Sequence, residues 1–200
     1  MTIQADQVAA MHLGRPRDEL REQAILDAAV DLLCTVGYEG FSMDTLAARA
    51  KASKATIYRR WSGKAEVVVA ALRQRKCANE EIPNTGSLRD DLVEFMRCEA
   101  ASSASEDVAL FVGVLRAMQR DEELAKVLQE QLIFTKAAIV REIIDRSIRR
   151  GETPATVDPA FMFETVQAVM FNRLVLQSGA IDDAFIIQVV DKVALPLLRG

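Results

Sequence analysis

Two hundred residues are enough to bury the core of one large domain or two small ones. Half of them are apolar and 27% charged, and the abundance of Ala, Leu, Val, Arg and Glu over aromatics describes a soluble globular chain that leans helical. No apolar run approaches the length of a bilayer, and the net charge of −4 argues, as an average, against nucleic acid as a partner.

In chain order, residues 1–17 lack periodicity and read as a flexible basic arm ending in Arg15 and Arg17, with no apolar core and cleavage site of a secretory leader. Asp18 is placed to cap a helix carrying Ile25, Ala29, Leu32 and Leu33 at helical spacing, and Gly37 to end it. Ser42 caps a short second helix, Met43 to Ala50, with Asp44 in its first turn. Ser53 caps a third, through Trp61, and Ser62-Gly63 breaks the chain before a fourth. These divisions predict a helix-turn-helix unit over 18–63 and a connecting helix over 64–80.

The segment Ile82-Pro83-Asn84-Thr85-Gly86 loses periodicity and marks a boundary, with a second domain over 87–200. There, Ser87 opens a helix with Leu88, Leu92, Phe95 and Met96 on one face, and Ser102 to Ser105 interrupt the chain before another, from near Glu106. A long helix from Asp121 runs to Gly151, Asp158-Pro159 starts one that runs to Ser178, and Asp182 starts the last, with Phe185, Val189 and Val193 turned inward. No alternating pattern or repeat occurs, so the expected class is all α.

Cys34, Cys77 and Cys98 are widely spaced and the single histidine, His12, lies in the arm. This pattern predicts neither zinc nor disulfides and fits a reducing cytoplasm. No phosphate-binding glycine loop, nucleophile elbow or Glu-x-x-His pair is present, so no catalytic, cofactor or metal site is expected. An enzyme or a plain binding module built on a helical bundle is the alternative class.

Local charge reverses the average. From Phe41 to Lys64 six basic residues face one acid, a net +5 that leaves −9 on the rest of the chain. An acidic body with one basic face meets DNA through that face. If Leu46, Ala47, Ile57 and Trp61 pack inward, Lys54, Ala55, Thr56, Tyr58, Arg59 and Arg60 are left outward, supplying cations and hydroxyls for phosphates and donors for base edges.

The run AARAKASKATIYRRWSGK from Ala47 to Lys64 resembles the signature of the tetracycline-repressor (TetR) family. So do AILDAA from Ala24 and GYEGFS from Gly37. The match spans Arg21 to Leu72, about a quarter of the chain; beyond it only the number and order of helices agree, with Arg150-Gly151-Glu152 a further similarity.

The resemblance implies an N-terminal three-helix helix-turn-helix domain and a C-terminal helical bundle for ligand binding and dimerisation. It implies phosphate contacts at Ser42, Thr45 and Lys64, and a recognition helix bearing Lys54, Ala55, Thr56, Tyr58, Arg59 and Arg60. The implied partners are a palindromic double-stranded operator, a second copy held through the last two helices, and a small, largely apolar effector. Phe95, Glu99, Phe111, Met118, Phe134, Gln167 and Phe171 become candidate effector contacts, although such residues more often form plain core or surface. Lys51 departs from the family, which usually has Gly in that turn; a positive φ there would cost a lysine about 1 kcal/mol.

Overall fold

In the computed structural model, residues 4–74, 82–101 and 108–199 are described, with side chains from Asp18 onward. The side chains of His12, Arg15 and Arg17 lie outside that description, and the expectations for Cys77, the Ser102–Ser105 break and the helix start near Glu106 lie outside the described residues. The described residues contain helices and no strand. They divide into two compact units, Met1–Gln74 and Arg75–Gly200.

The first unit consists of α1 (Gln4–Gly40), α2 (Met43–Arg49), α3 (Lys54–Tyr58) and α4 (Lys64–Gln74). Helix α1 does not start at Asp18: its backbone is already helical from Gln4, through most of the segment that reads as an arm. Ala5, Gln7, Ala9, Ala10, Met11 and Leu13 are good helix formers, so Asp18 lies inside the helix and its carboxylate is not a cap. Gly37 (φ +67°) breaks the helical run as expected. One face of α1 buries Ile25, Ala29, Leu32 and Leu33, and α4 contributes Val67, Val68, Val69 and Ala71 to the same interior.

The second unit contains α5 (Leu88–Ala101), α6 (Val108–Met118), α7 (Glu122–Leu128), α8 (Phe134–Arg149), α9 (Pro159–Phe171), α10 (Asp183–Val189) and α11 (Leu195–Arg199). The long helix expected from Asp121 is realised as α7 and α8 joined by a π-helical turn over Gln129–Ile133. Another π turn, Asn172–Leu176, extends α9. A third, Val190–Ala194, precedes Pro196, whose missing N–H and ring obstruct an ordinary helical turn there. Asp121, Asp158 and Asp182 cap their helices by accepting from Leu124, from Ala160 and Phe161, and from Phe185 respectively. The core gathers Leu88, Leu92, Val93 and Met96 of α5, Val140, Ile143 and Ile144 of α8, Met162 of α9, and Ile186, Val189, Val190 and Leu198 of the last helices.

A polar clasp fastens the start of this unit. Asp91, 0% exposed, accepts from the Thr85 amide at 2.6 Å and its hydroxyl at 2.8 Å, and faces Arg150 at 3.3 Å. Glu152 accepts from the Leu88 amide at 2.6 Å and pairs with Arg150, while Arg146 donates to the Pro83 carbonyl at 2.5 Å. The turn that aims Arg150 and Glu152 is a Schellman motif: Gly151 takes φ +76°, its amide bonds Ile148 O, and the Glu152 amide bonds Ser147 O.

Asp91→Ala would remove the acceptor of the Thr85 amide and hydroxyl and leave Arg150 with Glu152 alone, and should cost about 1–3 kcal/mol in urea unfolding. The Leu88 amide first, and Arg150 second, hold the Glu152 carboxyl below the usual range. Its stabilising contribution is therefore complete above the ordinary glutamate pKa and lost as pH falls through the lowered value. Unfolding followed from neutral pH into that acid range should show a pH dependence that Glu152→Gln flattens.

Candidate nucleic-acid interface

Two short helices present the basic stretch. Ser42 forms a capping box with Thr45: its hydroxyl accepts from the Thr45 amide at 3.1 Å, and the Thr45 hydroxyl accepts from the Ser42 amide at 3.1 Å. Ser53 caps α3 through the Thr56 amide at 3.1 Å, and the two hydroxyls lie 2.8 Å apart. Leu46 and Ile57 are fully buried and Trp61 nearly so, with Ala47 half-buried, which fixes the opposite side of α3 as its outer face.

On that face Lys54, Ala55, Tyr58 and Arg59 are exposed, Tyr58 to 50%. Thr56 is half-buried and turned toward Ser53. Lys64 lies beside α1, its ammonium 3.8 Å from the centre of the Tyr38 ring. Arg60 differs from the expectation of an outward residue. Its side chain is only 21% exposed and reaches back to α1, pairing with Asp18 at 2.7 Å and with Glu22, and donating to the Asp18 carbonyl at 3.2 Å.

Other cations are compensated as well. Arg49 pairs with Asp31 at 2.8 Å, Lys54 with Asp44, and Arg59 lies 3.8 Å from Asp18. The Arg60 guanidinium, chiefly, holds the Asp18 carboxyl below its ordinary range, and Asp44 raises the Lys54 ammonium. The sequence reading missed Asp18, Glu22 and Asp31 as partners; the four-residue spacing of Asp18 and Glu22, one face of a helix, was the available signal.

The candidate effector residues have several kinds of surroundings. Phe111 and Phe171 meet in a tilted ring contact at 6.4 Å. Glu99 pairs with Lys136 between α5 and α8, and Phe95 packs partly buried on the core. Met118 is half-buried, while Phe134 and Gln167 are exposed. Among the described residues no group of three His, Cys, Asp or Glu could hold a metal ion, and no helix is long and apolar enough to cross a membrane.

Trp61→Ala should cost about 3–5 kcal/mol, because the indole closes the interior beneath α3. Thermal unfolding of the full chain checks this: a loss under 1 kcal/mol would mean that α3 is seated by something other than its apolar face.

Residues 25–71 match the family described as bacterial regulatory proteins, tetR family, and residues 82–193 match the tetracyclin repressor-like C-terminal domain. A DNA-binding transcriptional repressor TetR of Mycobacteroides abscessus is 39% identical over 92% of this chain and 96% of its own. An uncharacterized HTH-type transcriptional regulator of Bacillus subtilis, YdeS, is 31% identical over 86% of this chain and 87% of its own. Among solved structures, Salmonella enterica GusR shares the fold, with a TM-score of 0.69 at 21% identity, covering 89% of this chain and 95% of that one.

Proposed function

The chain belongs to the tetracycline-repressor family of DNA-binding transcriptional regulators, and from that premise we propose that it is a cytoplasmic, non-catalytic, homodimeric repressor of a palindromic operator. One observation carries the DNA-contact reading. With Ile57 and Trp61 buried, Lys54, Ala55, Tyr58 and Arg59 stand together on the free side of a capped helix. Inserted in the major groove, that side offers cations and a phenol to base edges and phosphates, while Ala55 lets the helix approach closely. Thr56 completes the set, Arg60 steadies it from α1, and Ser42, Thr45 and Lys64 contact flanking phosphates. The repressor named in the Mycobacteroides relative favours repression as the sign of control.

A dimer accounts for reading two half-sites about 34 Å apart. Helix α9 favours it: apolar around most of its circumference, it leaves Phe161 57% exposed, with Phe171 and Leu176 also outside the core. Val189, by contrast, belongs to the core of its own unit, so a charge there unfolds the protein instead of splitting a dimer. An apolar effector held beside Phe111 and Phe171 would favour a spacing of recognition helices that no longer fits successive grooves.

Tyr58→Phe and Lys64→Ala should each weaken duplex binding with little change in melting temperature. Lys64→Ala should also lower the slope of log affinity against log salt by about one per bound protomer. Wild-type protein that binds duplex without salt dependence would instead support a helical binding module. Phe161→Glu should yield a folded monomer in sedimentation; a dimer of undiminished stability would move the interface elsewhere.

A further inference from the structure

The turn joining α2 to α3 contains a residue that its geometry does not favour. Lys51 adopts φ +50°. Its amide bonds Ala48 O at 3.3 Å and the Ala52 amide bonds Ala47 O at 3.0 Å, the paired bonds of a Schellman motif with Lys51 in the left-handed position. At the end of α8 the same pair of bonds encloses Gly151, the residue that takes this conformation without strain. The same motif thus holds a glycine at one site and a strained lysine at the other. Strain of this kind persists where the surrounding structure holds it, and it clusters at functional sites; Ser178, also at φ +50°, shows that it is not confined to them.

Charge indicates the use. Among the described residues Arg49, Lys54, Arg59 and Arg60 are each paired with a carboxylate, and Lys64 sits on the Tyr38 ring. Lys51 is exposed, three residues before Lys54, and makes no ion pair among the described residues. A phosphate approaching Arg49, Lys54, Arg59 or Arg60 must compete with a carboxylate already in place, whereas one approaching Lys51 meets an exposed ammonium with no ion-pair partner among the described residues. We propose that Lys51 is an additional phosphate-contacting residue on the DNA face, a cation retained in the turn despite its backbone strain. The proposal rests on the DNA-binding reading above.

The competing explanation is local: a lysine beyond the last turn of α2 answers the partial negative charge of that helix end. The full-length protein and its Lys51→Gly, Lys51→Asn and Lys51→Arg variants separate the two, titrated into a mixed-sequence duplex across salt concentrations around 0.1 M, with melting temperatures recorded alongside. Gly and Asn both accept a positive φ, so folding is preserved by two routes. The expected result for Gly and Asn, per bound protomer, is a salt slope smaller by about one and binding weaker by about eightfold at 0.1 M. Their melting temperatures should equal or exceed that of the wild type, and Lys51→Arg should keep the slope. Gly and Asn variants that keep the wild-type slope overturn the proposal while leaving the DNA-binding reading standing, and a lowered melting temperature with that slope assigns Lys51 to the helix end. A wild-type protein that shows no salt-dependent duplex binding overturns both.

Discussion

A helix of five residues has no stability of its own in water. Helix α3 exists because Ile57 and Trp61 are sunk into the interior lined by α1 and α4, Ser53 ties down its first turn, and Arg60 anchors its far end to Asp18 and Glu22. Everything presented on its outer side depends on that seating. The three devices complement one another: burial supplies most of the energy, the cap sets where the helix begins, and the ion pairs fix its rotation about its own axis.

The ion pairs have a second effect. Exposed pairs contribute little to stability, on the order of 0–1 kcal/mol each, so most of those across α1, α2 and α3 matter more for where they hold charge than for folding. Arg60, mostly covered, is the exception and belongs as much to the scaffold as to the surface. Carboxylates from α1 flank the basic face and temper its field, which leaves close contact, more than distant attraction, to decide where the protein rests.

Much of this was legible because it is local. Ser42, Ser53, Asp121, Asp158 and Asp182 were readable as caps since the bond each makes lies within three residues. The buried rows of α1 and the seating of Ile57 and Trp61 followed from helical spacing. What escaped is long in sequence separation: Arg60 reaching Asp18 across 42 residues, and Glu152 reaching Leu88 across 64. The start of α1 escaped for another reason, since good helix formers without an amphipathic stripe leave no periodic signal. Size and polarity do not encode the direction of a side chain, and among the candidate effector residues Phe134 and Gln167 are exposed.

The clasp around Asp91 and Glu152 bears on how such a protein could be rebuilt. The residues that fasten Pro83, Thr85 and Leu88 all come from α5, α8 and the turn after α8, so the second unit carries its own anchorage for the incoming chain. A foreign DNA reader spliced in ahead of Pro83 would join a fixed point instead of a loose tether. The junction best suited to chimeric sensors is therefore on the N-terminal side of Pro83; a cut beyond Leu88 would discard the fastening along with the linker.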